Sequence, residues 1–258
     1  MLKIYLKNSL FRITQSTFLN FKKMIKGSLY LIPNLLGVSS NSNIPETQKN
    51  LINKIQYYVF ENDKPGRAFI KKILPEKKQS DLSVNILNKR TSLDSIKEFL
   101  KPCLNGFNLG LISDAGCPGI ADPGAELISE AHRSDIKVIP LVGPSSILLA
   151  LMASGMNGQE FKFNGYLPID SKKRKEKIKL LEKKSSTTTQ LFMETPYRND
   201  SMIKDLIKYL KPSTRMCVAC DLTLDSEFIK SDKIENWKRA NYSYNKRPSI
   251  FLIQSDLS

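Results

Sequence analysis

The sequence predicts an α/β protein built of two α/β lobes with mostly parallel sheets. Three observations carry this. Short β-rich runs alternate with helix-period segments from Ser28 onward, the order that lays strands side by side in parallel. Two apolar runs open directly into turns: Leu109–Ile112 into Ser113-Asp114-Ala115-Gly116-Cys117-Pro118, and 138–142 into Gly143-Pro144-Ser145-Ser146. Strand ends of that kind flank the ligand crevice of open α/β sheets. The pattern then restarts after Gly155, which divides the chain into an N-terminal lobe, 27–143, and a C-terminal lobe, 144–258.

Taken in order, 28–33 is a strand that exits through Pro33 and Asn34, and 38–45 is a Ser/Asn-rich loop. Leu51, Ile52 and Ile55 fall on one face of a helix that starts at Glu46. Tyr57–Phe60 is the second strand, ending in the polar cluster Glu61, Asn62, Asp63 and Lys64. Pro65 suits the first turn of a helix whose apolar face is Phe69, Ile70 and Ile73. A weak strand covers 83–87, and Ser92 caps a helix carrying Leu93, Ile96, Phe99 and Leu100. Asp122 caps a helix from Pro123. The segment 147–153 is apolar almost all round, the composition of a buried helix.

In the second lobe Phe161 and Phe163 alternate before a turn at Gly165 to Pro168. Ser171–Lys184 is a strongly basic helix with a thin apolar stripe, Ile178 and Leu181. A strand at 190–193 leads into Glu194-Thr195-Pro196-Tyr197-Arg198 and a helix carrying Met202, Leu206, Ile207 and Leu210. The strand Arg215–Cys220, a short helix at 234–239 with the single Trp237, and the strand 249–253 close the chain.

The 258 residues carry a formal net charge of +15, which suits a polyanionic partner, nucleic acid before a membrane surface. A solvated, lysine-rich surface accounts for the same charge equally well. The four cysteines do not form a secreted disulfide framework in a chain of this length, so a reducing cytoplasm fits. Cys217 and Cys220 form a CxxC with no second pair and no nearby His, so no metal site is expected. No apolar run reaches membrane-spanning length. The stretch 1–26 is basic and free of acids. It reads as a disordered arm, as a transit peptide, or as residues ahead of a start at Met24.

Chemically, Ser113 and Asp114 follow a buried strand, and Gly116 and Gly119 let backbone approach a ligand. Asp114 can accept hydrogen bonds from hydroxyls or an ammonium group; its alternative is a turn cap. Ser145 and Ser146 can offer hydroxyls and helix N-terminal amides to a polar ligand, or can simply cap the helix. His132 reads as a surface helix residue. There is no dinucleotide fingerprint, P-loop, HExxH or Ser-His-Asp arrangement.

SDAGCPGIADPGAELI, then PLVGPSSILLALMASG, then FNGYLP and METPYR resemble the tetrapyrrole methylase-like superfamily of S-adenosylmethionine-dependent methyltransferases. Within it the chain is most similar to the ribosomal RNA small subunit methyltransferase I group, over about residues 27–253. The resemblance implies the two-lobed class III methyltransferase fold, a homodimer, and S-adenosylmethionine bound between lobes. It implies 2′-O-methylation of a cytidine in 16S ribosomal RNA, with ribosomal RNA or the small subunit as partner. It assigns the donor to Pro33, Ser113, Asp114, Ala115, Cys117, Ser146, Ile147 and Met193, with 194–198 as a substrate-side loop. Glu61 and Asp63 are the candidates for general base or ribose orientation.

This chain departs from the group's usual motifs in three places. IPNLLGV stands for the usual ATPIGN with an acid, Glu61 to Lys64 for EDTR, and Leu222-Thr223-Leu224 with Ser226-Glu227 for LTK with HE. The donor half is intact and the acceptor half has drifted. Two other readings stay open: methylation of a small tetrapyrrole-like metabolite, and a non-catalytic RNA-binding relic. The basic helix Ser171–Lys184 either meets phosphates or is a solvated face.

Overall fold

A computed structural model describes residues 25–37, 44–238 and 243–255. The expected arm up to residue 24, most of the 38–45 loop and Arg239 lie outside the described residues.

The chain divides into two compact units. The first contains β1 (Ser28–Ile32), α1 (Glu46–Lys54), β2 (Tyr57–Phe60), α2 (Asp63–Ile73), β3 (Ser83–Ile86), α3 (Leu93–Phe99), α4 (Lys101–Leu104), β4 (Leu109–Ile112), α5 (Gly124–Arg133) and β5 (Lys137–Pro140). Its five strands lie in the order β3-β2-β4-β1-β5, and every pair is parallel. All four residues of β4 are buried because it is the middle strand of a sheet covered on both faces. Leu29, Val59, Leu109 and Leu111 pack against Ile96 of α3 and Leu127 of α5 in one core.

The second unit takes in the residues leaving β1 from Pro33, the loop Ser113–Ala121, and the chain from Val142 onward. It contains α6 (Ser146–Ser154), β6 (Phe161–Tyr166), α7 (Ser171–Lys184), β7 (Thr189–Met193), α8 (Asn199–Tyr209), β8 (Arg215–Cys220), β9 (Phe228–Lys233), α9 (Ile234–Trp237) and β10 (Ser249–Gln254). The strand order is β6-β7-β10-β8-β9. This sheet is mixed rather than mostly parallel: β6–β7 is parallel and the other three pairs are antiparallel. Only the β6–α7–β7 segment keeps the crossover helix that a parallel pair requires.

Strand alternation gives that sheet two apolar faces. Phe192, Val218 and Phe251 join Ile178, Leu181, Met202 and Trp237 beneath α7, α8 and α9. Leu191, Cys217, Ala219 and Leu252 face the other way, against Ala150 and Leu151 of α6. Cys217 and Cys220, three apart on one strand, therefore fall in opposite clusters. The CxxC is two core residues, not a pair.

Several elements differ from expectation. β9 was not foreseen, because Phe228-Ile229-Lys230-Ser231-Asp232-Lys233 is half polar; it is an edge strand, where lysines suit an exposed rim. α2 starts at Asp63, two residues ahead of Pro65. β5 ends at Pro140 rather than reaching Val142. α6 is not buried all round: Leu148 and Met152 are 51% and 79% exposed. Among the described residues no helix is long and apolar enough to cross a membrane, and no group of His, Cys, Asp and Glu could hold a metal ion.

Candidate functional site

The site is built from three segments of the second unit, and Asn34 ties two of them. It is 4% exposed. Its backbone exchanges both hydrogen bonds with Gly116, N to O at 2.9 Å and the return at 3.1 Å. Its side-chain Nδ2 donates to the carbonyls of Ser113 at 2.9 Å and Asp114 at 3.0 Å, and its Oδ1 accepts from Leu35 N at 2.7 Å. One buried amide thus fixes the path of the turn that follows β4.

Inside that turn the Ser113 hydroxyl donates to Gly116 O at 2.9 Å, so it serves the loop and does not project from it. Gly116 adopts φ +70°, a left-handed conformation that glycine takes at no steric cost. The tightening leaves Ala115 exposed at the tip and Asp114 half-buried beside it.

The Cys117 thiol donates to Pro144 O at 3.4 Å, which ties the turn to the third segment. There Gly143 lies under the Pro33 ring, and a Cβ on it would fall 2.3 Å from Pro33 Cβ. Ser145 is the N-cap of α6 and accepts from Leu148 N at 3.5 Å. The first residues of α6, Ser146 and Ile147, are half-buried. Ile147, Leu36 and Met193, the last at the end of β7, each pack against the buried cluster on the α6 side of the sheet.

Pro33, Ser113, Asp114, Ala115, Cys117, Ser146, Ile147 and Met193 all belong to the second unit, where Asn34 ties Ser113 and Asp114 to the chain leaving β1 and Cys117 ties the turn to Pro144. Glu61 and Asp63 belong to the other unit. Glu61 N donates to Ile112 O at 3.2 Å, which fixes its backbone at the end of β2. Asp63 opens α2, exposed, with Oδ1 accepting from Arg67 Nε at 2.8 Å.

Two further loops are pinned by buried acids. The Glu194 carboxylate, 1% exposed, pairs with Arg198 and accepts from Thr195 N at 2.6 Å. Asp221, at φ +49°, accepts from Arg247 Nε at 2.7 Å and Ser226 Oγ at 2.9 Å. That hydrogen bond holds the Arg247 guanidinium above its ordinary pKa. His132 lies in the last turn of α5, exposed, as the sequence suggests.

Residues 52–237 match the sequence profile of the family described as Tetrapyrrole (Corrin/Porphyrin) Methylases. The chain belongs to this family. A relative in Buchnera aphidicola subsp. Baizongia pistaciae, named ribosomal RNA small subunit methyltransferase I, is 30% identical over 237 residues, 88% of this chain and 76% of the relative. A Vibrio cholerae serotype O1 protein of the same name is 39% identical over 153 residues, 58% of this chain and 52% of the relative. The aligned part thus spans about half of the Vibrio protein and three quarters of the Buchnera one. Among solved structures, the methyltransferase CobJ superposes with a TM-score of 0.57 over 89% of this chain and 94% of its own, at 14% identity. At that identity the likeness speaks for the tetrapyrrole methylase fold alone.

Proposed function

We propose that the chain is an S-adenosylmethionine-dependent methyltransferase that acts on the ribose 2′-hydroxyl of a cytidine in 16S ribosomal RNA. The observation that carries this is the Ser113–Cys117 turn, tied by Asn34 and by Pro144 to the start of α6. The residues there fit S-adenosylmethionine. Asp114 is an acceptor for an ammonium group or ribose hydroxyls. The first amides of α6 suit a carboxylate. Met193, Ile147 and Leu36, which pack on one buried cluster, are apolar candidates to meet an adenine ring. The names of the two relatives support the ribosomal substrate, and the net charge of +15 suits a polyanion better than a small macrocycle.

Bound S-adenosylmethionine supplies a methyl group already activated by the sulfonium charge. The protein's share is to align acceptor and donor, and to take the proton that leaves the hydroxyl. We assign proton removal to a carboxylate after β2. Glu61, whose backbone is fixed at the end of β2, and Asp63, which opens α2, are the two to test. The family resemblance further supports a homodimer in the cytoplasm.

The test is transfer of radiolabelled methyl from S-adenosylmethionine to small ribosomal subunits, free 16S rRNA and extracted metabolites. Label is expected in the ribosomal fractions, and label in none of the three would sink the enzymatic reading. Asp114→Ala should weaken donor binding roughly tenfold or more, the size of a lost hydrogen bond to a charged group. Unchanged affinity by calorimetry would remove Asp114 from the site. Glu61→Gln should leave donor affinity intact while slowing transfer.

A further inference from the structure

The second unit presents three large apolar side chains to solvent where β6 and β7 end. Tyr166, the last residue of β6, is 57% exposed, Ile169 is 69% exposed and Tyr197 is 74% exposed. β6 and β7 are parallel neighbours, with Tyr166 paired to Met193, so both loops leave from the same end of the sheet. Exposed aromatics on adjacent loops are costly unless something covers them.

Neither loop is slack. Arg174 of α7 pairs with Asp205 of α8 through Nη2 at 2.6 Å, and its Nη1 donates to Ile169 O at 2.7 Å. That clamp holds the segment following Tyr166. The loop after β7 is held by the buried Glu194, through Arg198 and Thr195 N, and Lys246 N donates to Pro196 O at 2.9 Å. The two tyrosines are therefore carried on tied backbone, so little ordering entropy remains to oppose a ligand.

The charge beside them is mostly positive. α7 begins at Ser171, just past Ile169, and exposes Lys172, Lys173, Lys175, Lys179, Lys183 and Lys184. Glu176 stays exposed among these lysines, while the other acids of α7 and α8 nearest them are engaged within the fold. Glu182 accepts from Lys211 N and Thr214 Oγ1 at 2.6 Å, and Asp205 is held by Arg174. Lys175 and Lys208 both approach the Tyr209 ring, at 5.6 and 5.3 Å from its centroid, which places two cations at one spot on this surface.

Aromatic rings beside a predominantly cationic helix are what single-stranded nucleic acid needs: π surfaces for unstacked bases and charge for the phosphates. We propose that Tyr166 and Tyr197 form a base-stacking platform for single-stranded RNA, with the first lysines of α7 holding its backbone. The proposal rests on the RNA reading above and deepens it. It gives the acceptor strand a docking surface that starts beside Met193, at the edge of the donor residues.

The test uses the full chain with a fluorescein-labelled single-stranded RNA of about twelve nucleotides, a duplex of the same sequence, and anisotropy at several salt concentrations. Tyr166→Ala and Tyr197→Ala should each weaken single-strand binding roughly tenfold, with the salt slope unchanged. Tyr166→Phe and Tyr197→Phe should bind within about twofold of the parent, since stacking needs the ring and not the hydroxyl. Lys172→Ala with Lys173→Ala should instead lower the salt slope by about two phosphates' worth. The duplex should bind more weakly, because its bases are already stacked.

Equal single-strand affinity in the alanine variants overturns the platform, as does a matching loss of S-adenosylmethionine affinity in calorimetry, which would place the rings at the donor. If the parent labels no RNA, the RNA methyltransferase reading fails. If it labels RNA and the tyrosine variants bind normally, the platform alone fails.

Discussion

At the scale of single residues, the site depends most on a side chain whose role a sequence does not show. An Asn after a strand reads as a turn former. Its partners, Ser113 and Asp114, lie 79 and 80 residues away, a distance no local pattern spans. Pro33 and Ser113 stand at strand ends in the sequence, yet Ser113 turns its hydroxyl inward and acts on the loop. Asn34→Ala leaves two carbonyls without their donor and should cost about 1–3 kcal/mol. Asn34→Asp keeps the shape but sets a carboxylate against those carbonyls, so it should cost more. Urea midpoints check the order, and an Asp variant as stable as the parent would refute the role given to the Nδ2 donor. Both variants should also weaken S-adenosylmethionine binding, because the Ser113–Cys117 turn loses its anchor.

At the scale of elements, α6 separates what composition tells from what packing decides. Residues 147–153, with no charge, read as a buried helix. The sheet it packs on has one face for α6 and the other for α7, α8 and α9, so α6 needs only one apolar stripe. Ala150 and Leu151 supply it, while Leu148 and Met152, four apart, share the exposed side. Leu151→Ala should therefore cost about 2–4 kcal/mol, the cost of an apolar cavity. Met152→Ala should stay within about 0.5 kcal/mol. Chemical denaturation of both variants distinguishes the faces, and equal losses would mean that α6 is covered on both sides. The basic helix α7 was readable to the residue, because its cap Asp170 and its Ile178–Leu181 stripe are local signals. β9 was not, because an edge strand buries too little to impose an alternating pattern.

At the scale of the whole molecule, the buried thiols oppose the native state in alkali. Cys103 and Cys217 are both fully buried, one in each unit, and burial pushes each thiol from 9.0 up to about 12. Tyr58 is raised as well, by the same desolvation. A group whose folded pKa exceeds its unfolded value keeps its proton in the native state while the unfolded chain releases one. Unfolding therefore releases protons, and stability falls as pH rises from 9.0 toward about 12. At pH 10 each thiol should have removed about 1.4 kcal/mol. The +15 charge works in the opposite direction once lysines titrate, because losing positive charge relieves self-repulsion. A free lysine's reference value, about 10.4, lies above a free thiol's, so between pH 9 and 10 the thiols act first. The urea-derived stability, measured under reductant, should drop over that interval, and Cys103→Ala should flatten the drop by nearly one proton relative to its own value at pH 8. A variant whose pH slope matches the parent would mean that the Cys103 thiol ionises as freely in the fold as in the unfolded chain. The reading of these cysteines as core side chains, rather than ligands or a redox pair, would then fail for that position.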